Sequence, residues 1–110
     1  MEQFQEQRQH RRHSVQYDCV FSSSQPQIGE GTVLDLSLGG ARIMSSLHVP
    51  PKTSIELHIR PGHHTPLYVS RAVVRWVNRR VFGVEFQDLR KLEAATLTRL
   101  LWSLPLEKSK

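Results

Sequence analysis

The sequence predicts a mainly β fold: a closed or nearly closed antiparallel β-barrel followed by a C-terminal α-helix. Three observations lead there. Up to Phe86 the chain is a series of short runs with period-two apolar alternation, separated by Gly, Pro, Asn and Ser turns and by no helical pattern. After Phe86 leucines recur at helical spacing. The whole chain has 110 residues, room for one domain with one modest core.

Residues 1–14 are dominated by Gln, Glu, Arg and His with a single Phe, too little apolar surface to offset the entropy of ordering. They read as a flexible basic arm carrying Arg8, Arg11 and Arg12 directly into the first strand, residues 15–21, where Val15, Tyr17, Cys19 and Phe21 alternate with polar neighbours. Ser22 to Gln27 is a loop by composition. Gly29, Glu30 and Gly31 then lead into a strand through Thr32, Val33 and Leu34. The hexad Asp35-Leu36-Ser37-Leu38-Gly39-Gly40 follows, a polar pair and two glycines between apolar runs, with the glycines expected at positive φ in a tight hairpin. Alternation predicts Asp35 and Ser37 on one side of the strand and Leu34 and Leu36 on the other.

A strand restarts at Ala41, and Pro50-Pro51 breaks the chain. Residues 54–60 alternate cleanly, with Ile55, Leu57 and Ile59 against Glu56, His58 and Arg60. The Pro- and Gly-bearing segment 61–66 is a loop. Residues 67–77 form the longest strand, with Val74 and Trp76 on a shared face. Asn78-Arg79-Arg80 separate this strand from its hairpin partner, residues 81–86. From Asp88 as N-cap, Leu89, Leu92, Leu97, Leu100, Leu101 and Leu104 predict a helix over 88–104 that Pro105 stops. Its apolar stripe packs on the barrel, and an exposed part near Trp102 would serve as a dimer surface. The domain therefore spans residues 15–104, and 105–110 is a frayed tail.

The formal charge of +5 and pI near 10.0 favour an anionic partner. The single cysteine, Cys19, excludes an internal disulfide and a Cys-rich zinc site, and reads as a small buried hydrophobe in a reducing compartment. No apolar run reaches the roughly 18 residues of a membrane span, and the first residues lack the apolar core of a secretory signal, so a cytoplasmic protein without membrane insertion is expected. Catalysis is not expected. Ser37 lacks a Gly-x-Ser-x-Gly elbow, and the six histidines, including His63-His64, show no metal-ligand spacing.

The chemistry that remains is anion and base recognition. Arg8 and Arg12 bring guanidinium forks able to grip phosphate or a guanine edge, although a solvated basic tail contains such pairs too. Asp35 can accept from guanine N1–H and N2–H, Ser37 can bond a base or phosphate, and Gly40 permits close approach, although an ordinary hairpin holds the same residue types. The conjunction of Arg8-x-x-x-Arg12 with Asp35-x-Ser37-x-x-Gly40, and the Gly83-Val84-Glu85-Phe86 ending of a later strand, resembles the PilZ family of bacterial cyclic di-GMP receptors. That resemblance runs from Arg8 through the 81–86 strand to the following helix.

The resemblance implies a six-stranded barrel that takes cyclic di-GMP on its outer surface, with the arm closing over the ligand as a clasp. Arg8, Arg12, Asp35, Ser37 and Gly40 are the implied ligand contacts, and Arg11, Gly39 and Trp76 are secondary candidates. Trp76 stands where relatives place a residue near the second guanine, and equally reads as a core tryptophan. Gln7 occupies the position where many relatives carry a basic residue, which leaves one bound ligand or a stacked pair open. The expectation is a single-domain cyclic di-GMP receptor without cofactor, a monomer or weak dimer, that changes conformation and signals in trans to an unassigned downstream protein. The competing readings are a basic barrel binding single-stranded nucleic acid and an interaction module with no small ligand. Aromatic content of 7% speaks against a base-stacking platform, so no DNA or RNA is expected. An interaction module alone has no need of the arginine and Asp-Ser-Gly elements.

Overall fold

A computed structural model describes residues 11–23 and 28–104. Six strands, β1 (His13–Ser23), β2 (Ile28–Leu36), β3 (Gly40–Met44), β4 (Ser54–Arg60), β5 (Leu67–Asn78) and β6 (Val81–Phe86), are followed by one helix, α1 (Lys91–Ser103). All strand pairs are antiparallel, and they close in the order β1-β2-β3-β6-β5-β4, with β4 pairing back onto β1. The six-stranded barrel with a C-terminal helix is thus the observed architecture. β1 begins at His13 rather than at residue 15, because His13 and Ser14 pair with Leu36 and Asp35.

The barrel interior holds Phe21, Val33, Leu36, Ile43, Leu57, Ile59, Val69, Val74 and Phe82, with Phe21 and Phe82 meeting edge to face at 5.4 Å between ring centres. Burial of this kind is worth about 1.5–3 kcal/mol per large apolar side chain and is the main force closing the sheet. Cys19 joins the core, and burial pushes its thiol pKa up to about 12.

The pairing register slips at four places, one between β4 and β5 and three that border one region of the outer surface. β2 takes two steps from Val33 to Asp35 where β3 takes one from Ile43 to Arg42, so Leu34 is an extra residue. Val33 and Leu36 are therefore the buried pair, and the expected Leu34–Leu36 face does not form. In β5, Arg75 is the extra residue between Val74 and Trp76 opposite Val84 and Gly83. Val74 is fully buried while Trp76 is 43% exposed, so these two do not share a face. A third slip lies in β1 between Ser14 and Tyr17.

The helix differs from expectation at its start. Asp88 sits at φ 50 in a turn, the N-cap is Arg90, and the Arg90 N–H donates to the Glu93 carboxylate at 3.2 Å. Glu93 satisfies an orphan donor that Asp88, two residues before the cap, does not reach. Leu97, Leu100 and Leu101 pack inward and Leu89 and Leu104 are partly buried, but Leu92 faces solvent. α1 is too short and polar to cross a membrane.

Candidate functional site

Strand register brings Asp35 of β2 opposite Arg42 of β3, Arg42 opposite Gly83 of β6, and Gly83 opposite Trp76 of β5. These four residues form one row across the outer face of the barrel. Around them a cleft of about 710 Å³ is lined by the β2–β3 turn, by Arg12 at the foot of β1, and by Arg75 and Glu85. Of the sequence-predicted residues, Arg12, Asp35, Ser37, Gly39, Gly40 and Trp76 converge here. Arg11 is exposed but does not line the cleft. Arg8 lies outside the described residues.

Each converging residue has a local cause. Ser37 Oγ accepts hydrogen bonds from the N–H groups of Gly39 (3.1 Å) and Gly40 (3.2 Å), and the Ser37 N–H donates to the Gly40 carbonyl (2.9 Å). The hydroxyl therefore folds the turn on itself. With that support neither glycine is at positive φ, contrary to expectation, and Gly62 is the described glycine that is. Gly40 is needed for a different reason: a Cβ there would strike the Val84 carbonyl of the neighbouring strand. The Phe86 N–H donating to the Gly39 carbonyl at 2.9 Å fixes the turn to the end of β6.

The electrostatics of the cleft are set by two cross-strand ion pairs. Arg42 Nε donates to Asp35 Oδ2 at 3.0 Å, and Arg75 Nε donates to Glu85 Oε1 at 2.7 Å. The Asp35 side chain is only 13% exposed against 45% for Arg42, so the carboxylate is held in place while the guanidinium faces water. Both pairs are at the surface, where such bonds contribute about 0–1 kcal/mol and exchange readily for stronger ones. Trp76 lies flat over Gly83, where a Cβ would collide with the indole, and its other face is open. Bulged Arg75 points outward beside it.

Arg42, Arg75 and Glu85 were not among the residues picked from sequence. Their signal is opposite charge at facing or diagonal hairpin positions, Asp35 with Arg42 and Arg75 with Glu85. Reading it requires the register, and the bulges alter the register. Among the described residues there is no cluster of three or more His, Cys, Asp or Glu side chains suited to a metal ion.

A family model of the PilZ domain matches residues 6–102. The chain belongs to the PilZ domain family. Solved structures share the barrel at low identity. The PilZ domain of YcgR from Escherichia coli with c-di-GMP aligns at a TM-score of 0.75 and 16% identity, covering 88% of this chain and 90% of that one. A structure of Escherichia coli YcgR in complex with c-di-GMP gives 0.76 at 17% identity, with 87% of this chain matched to 45% of that longer one. The Bacillus subtilis inhibitor of motility, MotI/DgrA, gives 0.70 at 20% identity, covering 87% of this chain and 52% of that one. No curated protein gives a significant match.

Proposed function

We propose that this PilZ domain is a non-catalytic receptor for cyclic di-GMP. The observation that carries the reading is the convergence of Arg12, Asp35, the Ser37–Gly40 turn and Trp76 on one cleft of about 710 Å³, a size suited to a small-molecule ligand. Membership of PilZ and the likeness to barrels crystallised with c-di-GMP support it.

The roles follow from the geometry. Arg12, and Arg8 from the arm, make charge-assisted bonds to the two phosphates. Asp35 uses the carboxylate oxygen not held by Arg42 to accept from guanine N1–H and N2–H. Ser37 acts as a positioning residue, since its hydroxyl is occupied with Gly39 and Gly40 and holds the turn that approaches the ligand. The open face of Trp76 stacks on a base. Arm ordering costs about 2–5 kcal/mol of the gross interaction and converts occupancy into a changed surface that a partner reads in trans.

Isothermal titration of the purified chain with cyclic di-GMP, with GTP and a short single-stranded oligonucleotide as controls at low and high salt, tests the reading. Selective binding of cyclic di-GMP is expected, weakened at least tenfold, about 1.4 kcal/mol, by Arg12→Ala or Asp35→Ala with the fold intact. Silence toward cyclic di-GMP with salt-sensitive oligonucleotide binding would transfer the site to nucleic acid.

A further inference from the structure

Helix α1 turns Leu97, Leu100 and Leu101 to the barrel and leaves two large apolar side chains in water: Leu92 at 77% and Trp102 at 83% exposure. With Ala95 and Arg99, also exposed, they are spaced 3, 4 and 3 residues apart, which puts all four on one stripe of the helix. Beside Arg99 the helix meets the 61–66 loop in a notch of about 80 Å³ lined by His64, Thr65, Thr96, Arg99, Leu100 and Ser103. That space equals about two to three water molecules, enough for a carboxylate and too small for a nucleotide.

The charges around the stripe are of one sign. Lys91 and Arg99 are exposed there beside the imidazole rings of His63 and His64, and Arg99 has no ion pair among the described residues. The nearest acids are engaged elsewhere. Glu93 is buried beneath the helix, accepting from the Ser70 hydroxyl at 3.4 Å and the Arg90 N–H, and Asp88 faces Arg71 at 3.7 Å. A two-fold contact between copies of this chain centred on the stripe would set Arg99 against Arg99. An acidic partner answers both the charge and the apolar ridge, and tryptophan and arginine are the side chains that most often dominate binding energy at protein interfaces.

We propose that the outer face of α1, with Leu92 and Trp102 as apolar anchors and the Arg99–His64 notch as a carboxylate seat, docks an acidic, apolar-bearing segment of a partner protein. The surface deepens the receptor reading by giving its output face, and rests on that reading for when it is used, not for what it binds.

The test uses the full chain and three fluorescein-labelled helical peptides of about 15 residues: one with a leucine stripe flanked by glutamates, one with lysine in place of glutamate, and one with serine in place of leucine. Fluorescence anisotropy should show the Leu/Glu peptide binding at least tenfold more tightly than either control. Arg99→Glu should reverse the preference toward the Leu/Lys peptide, and Trp102→Ala should weaken binding about tenfold. Both side chains are exposed, and thermal melts of the variants should match the parent. Equal affinity for the acidic and basic peptides, or binding of neither, overturns the proposal. So does Trp102-dependent binding to phosphatidylglycerol vesicles without peptide selectivity, which marks a lipid surface, or a concentration-dependent dimer abolished by Trp102→Ala, which marks a second copy. Charge-selective peptide binding by a chain that ignores cyclic di-GMP would retain the docking face and remove the receptor reading.

Discussion

Strands β4 and β5 lie side by side in the barrel and use their residues in opposite ways. β4 alternates without interruption, with Ile55, Leu57 and Ile59 buried and Glu56, His58 and Arg60 exposed. β5 carries two extra residues, one where Val69 and Ala72 face Leu57 and Ile55, and one, Arg75, before Trp76. Each bulge shifts the following side chains to the other face. The regular strand contributes core, and the irregular one delivers Arg75 and Trp76 to the cleft. β2 repeats the lesson, since the extra Leu34 leaves Asp35 on the outer face opposite Arg42.

The largest expected effect tests the regular strand. Leu57→Ala removes a fully buried side chain from the barrel interior and should cost about 2–5 kcal/mol in urea denaturation. Cyclic di-GMP affinity of the remaining folded protein should be unchanged. Loss of affinity in proportion to loss of stability would mean that core and cleft are not separable in this barrel.

The contrast also explains what the sequence made legible. Period two in residues 54–60 and the leucine spacing after Phe86 are local signals, and both led to the right element. The Asp35-to-Gly40 hexad is a contiguous motif and Arg12 lies just before the first strand, so both could be singled out without coordinates, and the structure brings them to one cleft. Trp76 could not be settled, because the position of a bulge depends on partner strands and leaves no mark in the strand itself. Arg42 and Glu85 went unread for the same reason. Asp88 looked like an N-cap until Glu93 supplied the cap bond from inside the helix, and Leu92 fits the leucine spacing although the barrel does not cover it.

On the irregular strand, Gly83→Ala places a methyl group under the Trp76 indole. The ring is half exposed and free to swing outward, so stability should change by about 1 kcal/mol or less, whereas cyclic di-GMP affinity should fall about tenfold because the stacking face is displaced, 1.4 kcal/mol on that scale. Repeating the change in a Trp76→Ala background should add nothing. A full additional loss there would place the role of Gly83 in the β6 backbone instead.

A pH-dependent effect reports on the barrel interior. Burial raises the Cys19 thiol from its ordinary 9.0 to about 12, and burial also raises Tyr17. A folded-state pKa above the unfolded value means that the unfolded chain holds fewer protons in that window. The contribution is complete below pH 9 and is lost as pH rises toward about 12, with a slope for one proton of at most about 1.4 kcal/mol per pH unit. Urea midpoints should be flat from neutral pH to about 9 and then fall. Cys19→Ser should flatten the alkaline decline, and native Cys19 should resist alkylating reagents below that range.

The smallest effect separates the two ion pairs of the cleft. The Arg75–Glu85 bond is short at 2.7 Å, but its side chains are 49% and 53% exposed, against 13% for the Asp35 carboxylate. An exposed pair on a bulge contributes little to folding, so Glu85→Gln should leave stability within about 0.5 kcal/mol. Its influence on an anionic ligand runs the other way. Removing the carboxylate takes a negative charge away from the phosphates and frees the Arg75 guanidinium to turn toward them. Cyclic di-GMP should therefore bind about two- to fivefold more tightly, 0.5–1 kcal/mol of Coulomb energy in a wet cleft, and the gain should fade as salt shortens the screening length. Asp35→Asn should do the opposite at any salt concentration, because that carboxylate is wanted as an acceptor. Weaker binding by Glu85→Gln would make Glu85 a second base-reading carboxylate, and the two cross-strand pairs would then be duplicates rather than one contact and one restraint.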